Sequence, residues 1–153
     1  MPFTADARPL RILLVEDSPA DAVLAREALS DTHAASELDV VGDGEEAMAY
    51  LRGEGDYADA PRPDLMLLDL NLPRKDGREV LAEVKSDPSL RRIPVVVLSA
   101  SACSDDVETS YHRMANAYVR KPVDVEGLTR VLRSIDAVWT RIVTLPPVPA
   151  ALV

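Results

Sequence analysis

Short apolar runs alternate with helical segments along this chain, and several of the runs end in a charged or hydroxyl residue. "RILLVED" closes with the acid pair Glu16 and Asp17, while "DLMLLDL" and "IPVVVLSA" lead into Asp69 and Ser99. Runs of this length between polar residues favour buried strands over helices. With "LDVV" and "AYVRKP" they make five strands that alternate with helices, which predicts an α/β domain with a parallel sheet covered on both faces.

The predicted helices follow the strands as "SPADAVLAREALSD", "EEAMAYLRG", "REVLAEVKS", "DDVETSYHRMA" and a last helix from about Val125 to Ile142. Ser18 is placed to cap the first of them, and Pro19 suits its first turn. We therefore divide the chain into an N-terminal tail (residues 1–9), one folded domain (residues 10–143) and an apolar, proline-rich C-terminal tail (residues 144–153).

The composition excludes several classes of protein. A net charge of -9, with no cluster of Lys or Arg, argues against binding to nucleic acid. The single cysteine, Cys103, permits no intramolecular disulfide, which suits a reducing cytosol. The chain lacks the pattern of a signal peptide and any apolar run of membrane-spanning length, so we expect a cytoplasmic protein that does not bind membranes.

The ends of the predicted strands bring chemically useful residues together. Right-handed crossovers place the carboxyl ends of parallel strands at one edge of a sheet, which is where α/β proteins bind their ligands. That edge would collect Glu16 and Asp17 from the first strand, Asp69 from the third, Ser99 and Ser101 from the fourth, and Lys121 from the fifth. One acid at a strand end is commonly only solvated, but an ordered set of this kind is seldom accidental.

These residue types suit phosphoryl transfer. Converging carboxylates repel one another unless a cation joins them, and Mg²⁺ prefers a few carboxylates together with water and a phosphate oxygen. The ammonium of Lys121 and the hydroxyl of Ser99 could stabilise charge on a transferring phosphoryl group. Asp69 would then be the nucleophile and would form an aspartyl phosphate.

The same stretches closely resemble the receiver domain of two-component response regulators. The matches are "LLVEDSPAD", "LLDLNLPRKDG", "VVVLSAS" and "AYVRKPV", and the resemblance covers nearly the whole chain. It implies a flavodoxin-like (βα)5 doubly wound parallel sheet with strand order 2-1-3-4-5, an order that the chemotaxis receiver exemplifies. It also implies a phosphoprotein rather than an enzyme with an external substrate, because the receiver catalyses only its own phosphorylation and dephosphorylation.

The resemblance assigns the metal and phosphorylation sites. By that resemblance Glu16, Asp17, Asp69 and the backbone carbonyl of Asn71 hold Mg²⁺. Asp69 accepts the phosphoryl group from the phosphohistidine of a sensor histidine kinase.

The resemblance also assigns the residues that respond to phosphorylation. Ser99 would move to bond the phosphoryl oxygen, and Lys121 would pair with the phosphoryl group. Tyr118 matches the switch aromatic of the family, and the peptide bond before Pro122 would be cis.

The connection "RGEGDYADAPRP" is longer than in a minimal receiver and resembles single-domain regulators that serve phytochrome-type kinases, so the partner would be a kinase such as a bacteriophytochrome. Nothing that resembles a DNA-binding output domain follows, so the signal would pass to an unknown downstream protein. The last helix is long enough for Val138, Trp139 and Ile142 to extend beyond the sheet. We expect them, with the tail as a possible arm, to form the interface of a homodimer.

Other functions remain open at this stage. The chain could be a phosphate sink or phosphorelay intermediate with no direct output. A phosphatase-like hydrolase with an aspartate nucleophile would need a second Asp at the position of Asn71. A flavin-binding protein of the same fold would need a glycine- and hydroxyl-rich loop where this chain has "EDSPAD".

Overall fold

The computed structural model describes residues 9–30, 36–101 and 103–146. The predicted N-terminal tail, apart from residue 9, lies outside these residues, and so does the C-terminal tail beyond residue 146. Among the described residues, no helix combines the length and the apolar character that crossing a membrane requires.

Five parallel strands form one sheet in the order β2-β1-β3-β4-β5, which confirms the predicted topology. The strands are β1 (Leu10–Val15), β2 (Ser36–Val41), β3 (Leu65–Leu68), β4 (Val95–Ser99) and β5 (Ala117–Arg120). The three central strands are buried almost throughout, as expected for strands covered on both faces.

The helices are α1 (Pro19–Ser30), α2 (Gly44–Arg52), α3 (Gly77–Ser86), α4 (Ser104–His112) and α5 (Val125–Arg141), with a short 3-10 helix at Gly55–Tyr57 in the long connection before β3. Polar residues cap several helix N-termini, because the first N–H groups of a helix lack partners within it. Ser18 accepts a hydrogen bond from the Asp21 N–H at 3.3 Å, and Asp124 accepts one from the Gly127 N–H at 2.8 Å.

The side chains of the sheet alternate between two hydrophobic cores. Leu13, Met66 and Val97 belong to the core beneath α2 and α3, whereas Leu14 and Leu67 belong to the core beneath α1 and α5. Successive residues of a strand point to opposite faces, so each apolar run supplies both cores. The strands therefore hold their carboxyl ends in a fixed arrangement at one edge.

The last helix buries only part of its apolar side. Leu128 and Leu132 are buried in the core, and Trp139 is half-buried against it. Val138 and Ile142 are 41% and 76% exposed. The far end of α5 thus presents apolar side chains to solvent.

The structure contradicts the predicted cis bond before Pro122. No described residue follows a cis peptide bond, so Lys121 and Pro122 are joined by a trans bond. The trans form is favoured before proline by about 0.5 to 1 kcal/mol. In this form the Lys121 N–H donates to the Ser99 carbonyl at 2.7 Å, and the Pro122 ring lies against Gly127. The path from β5 to α5 therefore needs no cis bond.

Gly77 lets the turn after β3 fold back on itself. Its N–H donates to the Leu70 carbonyl at 2.9 Å. A Cβ at Gly77 would lie 2.1 Å from the Asp69 carbonyl oxygen and 2.7 Å from the Leu70 Cα. Because both atoms belong to the backbone, the glycine is needed for close approach at the start of α3.

We expect Gly77→Ala to lower the free energy of unfolding by about 2 to 4 kcal/mol, because the new methyl group overlaps backbone that cannot move aside. Chemical denaturation measures the effect. The control is Gly42→Ala, whose Cβ would have its nearest neighbour at 3.6 Å. This control should change stability by no more than about 1 kcal/mol. Equal stability of both variants would contradict the steric explanation.

Candidate phosphoryl-acceptor site

Three carboxylates meet at the carboxyl edge of the sheet. Glu16 and Asp17 follow β1, and Asp69 follows β3 with its N–H donating to the Val15 carbonyl at 3.2 Å. Each of the three offers a carboxylate oxygen that lies within 4.8 Å of those of the other two. Glu16 is buried, Asp69 is half-buried and Asp17 is exposed. The predicted acidic cluster is therefore present, with one side open to solvent.

The ammonium of Lys121 lies among these carboxylates. Its Nζ donates to Glu16 Oε1, and it lies 3.3 Å from Asp69 Oδ2 and 3.2 Å from Asp21 Oδ2. The backbone N–H of Lys121 is bonded to the Ser99 carbonyl, so the residue that ends β4 positions the lysine after β5. The structure thus brings Lys121 to Asp69, as the sequence predicted.

Asp21 is the member of the site that the sequence analysis did not identify. It lies in the first turn of α1, where an acidic residue is explained by the cap and the helix dipole alone. The structure adds its contact with Lys121. The signal that could have revealed it is topological, because the first turn of α1 starts at the same sheet edge as the acid pair.

Burial and neighbouring charge act in opposite directions on the pKa of Glu16 and on the pKa of Lys121, and both pKa values lie above their ordinary values. Burial raises the pKa of Glu16 from an ordinary value of 4.5 to about 7, against the hydrogen bond and charge of Lys121. Burial lowers the pKa of Lys121, but its hydrogen bond to Glu16 and the nearby Asp69 outweigh this and raise the pKa above the ordinary range. The lysine is consequently a permanent positive charge at Asp69.

The carboxylate cluster fits a divalent cation. Its donors are all oxygen atoms, which hard ions such as Mg²⁺ and Mn²⁺ prefer. The spacing of the three carboxylates allows one ion to contact all of them, and the exposed side of the cluster leaves room for water and a phosphate oxygen.

Asn71 begins the turn that follows the central carboxylate. It is exposed, and its N–H donates to Asp69 Oδ1 at 3.2 Å. This bond ties the Asp69 side chain to the loop and leaves Oδ2 to face Lys121.

Ser99 ends β4, the strand beside β3, and Tyr118 lies on β5 at the edge of the sheet. Ser99 is fully buried, and its Oγ accepts the Ser101 N–H at 3.2 Å. Tyr118 is half-buried, and its hydroxyl donates to the Ser101 carbonyl at 2.8 Å. Both predicted switch residues therefore contact Ser101, which the sequence places with Ser99 at the end of the fourth strand.

Asp69 and Glu16 share the ammonium of Lys121 at the carboxyl edge of a sheet with this strand order, an arrangement typical of the receiver class of signalling proteins. A family model of the response regulator receiver domain matches residues 12–133. The chain belongs to this family.

Two regulators are similar over almost their full length. Response regulator Rcp1 of Synechocystis sp. is 50% identical over 138 residues, which cover 90% of this chain and 94% of Rcp1. The phosphorylated cyanobacterial phytochrome response regulator RcpA is 53% identical in sequence to this chain. Its crystal structure superposes with a TM-score of 0.88, and the match covers 92% of this chain and all of RcpA. The Mn²⁺-bound form of Rcp1 has a TM-score of 0.87 at 50% identity, covering 91% of this chain and all of that one.

We expect the affinity of the site for Mg²⁺ to fall about tenfold between pH 8 and pH 6, because Glu16 must lose its proton to act as a ligand. The raised pKa of about 7 places the loss within this interval. Calorimetric titrations in buffers of different ionisation enthalpy would measure both the affinity and the protons released. Glu16→Gln should bind Mg²⁺ more weakly and with less pH dependence. A wild-type affinity that is constant over this range would contradict the assignment.

Proposed function

We propose that this protein is a phosphorylation-activated switch that accepts a phosphoryl group on Asp69 from a sensor histidine kinase and signals through protein contacts. The position of Lys121 between Asp69 and Glu16 carries the proposal. A lysine held in this way supplies fixed positive charge where the negative charge of a phosphoryl group arrives.

In the proposed reaction Asp69 Oδ attacks phosphorus while the bond from phosphorus to the histidine nitrogen breaks, and the protonated ring leaves as neutral imidazole. Glu16, Asp17, Asp69 and the carbonyl of Asn71 would hold Mg²⁺, which supplies charge compensation for the phosphoryl oxygens. Lys121 would turn from the carboxylates to the phosphoryl group.

In the activated state the hydroxyl of Ser99 would donate a hydrogen bond to an oxygen of the same phosphoryl group. Tyr118 would then change its contact with Ser101 and alter the surface that α4, β5 and α5 present. Differential contacts of this kind shift a conformational equilibrium. The chain would catalyse only acceptance and hydrolysis of its own phosphoryl group.

We propose a phytochrome-type kinase as the partner, because Rcp1 and RcpA are similar along nearly the whole chain and RcpA is a phytochrome response regulator. Such a kinase would deliver the phosphoryl group in the cytoplasm. A downstream protein would bind the activated form.

We expect intact-mass measurements with Mg²⁺ and acetyl phosphate to show one phosphate adduct on the wild type and none on Asp69→Asn, because the amide cannot form an acyl phosphate. The matched control is Asp105→Asn, which removes an exposed carboxylate from the start of α4. It should be labelled like the wild type. An undiminished adduct on Asp69→Asn would contradict the proposal.

We further propose that the far end of α5 pairs with a second copy of the chain. Val138 on α5 and Ile142 directly after it are exposed there, and the half-buried Trp139 follows Val138 in the helix. Leu145 packs back against the core, so the chain remains close to this apolar end after α5. Adjacent exposed apolar side chains of this kind are typical of an interface.

We expect Ile142→Asp to weaken self-association at least about tenfold, since it places a charge in the proposed interface. Sedimentation equilibrium over a range of protein concentrations would measure the dissociation constant. The control is Val23→Asp, which changes a 56% exposed valine of α1. A wild type that is monomeric at micromolar concentration, with and without phosphorylation, would contradict the dimer.

A further inference from the structure

A continuous set of polar contacts connects the start of α3 with the loop between β4 and α4. The set consists of Arg78, Asp106, Ser101 and Tyr118, which we call the Ser101 network. It lies beside the acceptor site without including any of the carboxylates there. No part of the proposed phosphoryl chemistry uses Arg78 or Asp106.

Ser101 is held from several directions. Its hydroxyl donates to Asp106 Oδ2 at 2.6 Å and accepts the Cys103 N–H at 3.2 Å. Its carbonyl accepts the Tyr118 hydroxyl, and its N–H donates to Ser99 Oγ. One residue therefore links β4, α4 and β5, and it does so next to the predicted switch hydroxyl.

Arg78 connects this loop to the turn that carries the phosphoryl acceptor. Its Nη2 donates to Asp106 Oδ1 at 2.6 Å, and its Nη1 lies 3.2 Å from both carboxylate oxygens of Asp76. Asp76 also caps α3 by accepting the Arg78 N–H at 2.8 Å. The position of Arg78 is thus fixed by the turn that begins at Asp69 and ends at α3.

The electrostatics of the network favour the conformation in which it is formed. The side chains of Arg78 and Asp106 are 27% and 21% exposed, so water screens the pair incompletely. The hydrogen bond from Ser101 and the guanidinium of Arg78 lower the pKa of Asp106, which keeps this carboxylate ionised. Bonds to an ionised group are stronger than bonds between neutral groups.

We propose that Arg78 and Asp106 are positioning residues that hold Ser101 in the position seen in this structure and thereby oppose the movement of Ser99 towards a phosphoryl group. The inference rests on the proposed phosphorylation of Asp69. Ser99 Oγ accepts a hydrogen bond from the Ser101 N–H at 3.2 Å, so a displacement of Ser99 Oγ towards a phosphoryl oxygen on Asp69 stretches or breaks this bond unless Ser101 moves with it. Any contact that must break when the phosphoryl group is bound lowers the apparent affinity for that group.

The test uses beryllofluoride, a tetrahedral phosphoryl mimic that binds a carboxylate in the presence of Mg²⁺. We expect Asp106→Asn to bind it about three- to tenfold more tightly than the wild type, because the ion pair and the charge-assisted bond to Ser101 are lost. Arg78→Gln should shift the affinity in the same direction. The control is Ser110→Ala, which removes a hydroxyl bonded to the Asp106 carbonyl within α4 and leaves the contacts with Ser101 intact.

A double-mutant cycle shows whether the effect passes through Ser101. In a Ser101→Ala background, Asp106→Asn should no longer change the affinity for beryllofluoride. Thermal melting of each variant shows whether it is folded, and a structural role alone would lower the melting temperature without tightening the binding. Unchanged or weaker binding by both Asp106→Asn and Arg78→Gln would overturn the proposal.

The same titration separates this proposal from the proposed function. Failure of the wild type to bind beryllofluoride, or undiminished binding by Asp69→Asn, would overturn both. Binding that depends on Asp69 but is equal in the wild type and the two network variants would overturn the positioning role alone.

Discussion

The ion pairs made by the Lys121 ammonium are the interaction on which the candidate acceptor site depends. The ammonium compensates the charges of Glu16, Asp21 and Asp69 at a place where the sheet brings their side chains together. Without it, the carboxylates would repel one another and burial would favour protonation of at least one. The Ser99 carbonyl at the end of β4 holds the backbone of Lys121, which follows β5. The same two strands therefore position both the ammonium of Lys121 and the hydroxyl of Ser99.

This arrangement also explains how an event at one carboxylate could reach the surface. Ser99 is bonded to Ser101, and Ser101 is bonded to both α4 and Tyr118. A rearrangement of Ser99 would therefore change contacts on two neighbouring elements together. Packed elements with discrete contacts convert a small local displacement into a change of surface, because they cannot deform continuously.

Much of the fold and the main site could be predicted because the signals are local or follow from topology. Apolar runs and helix caps can be recognised within short stretches of sequence. Parallel strands place Asp69 and Lys121 at the same carboxyl edge of the sheet. The pair formed by Arg78 and Asp106 could not be predicted, because two exposed-looking charges at helix starts carry no sign of their contact. Pro122 shows that a resemblance does not fix a peptide isomer.

Asp136 on α5 shows where periodicity fails. An acidic residue that borders the apolar face of a helix is expected to face solvent. Asp136 is only 1% exposed, and neither of its carboxylate oxygens has a hydrogen-bond partner among the described residues. The helix that carries it packs against α1, a contact that sequence spacing alone does not reveal. Tertiary packing overrides the helical pattern at such a position.

The central claim is that Asp69 itself carries the phosphoryl group, and chemical trapping tests it most directly. Borohydride reduces an acyl phosphate to an alcohol and would convert a phosphorylated aspartate into homoserine. After phosphorylation in the presence of Mg²⁺, peptide sequencing by mass spectrometry should find homoserine at position 69 and at no other acidic residue. Homoserine at Asp17 or Asp21, or 2-amino-5-hydroxypentanoic acid at Glu16, in place of homoserine at position 69 would contradict the account.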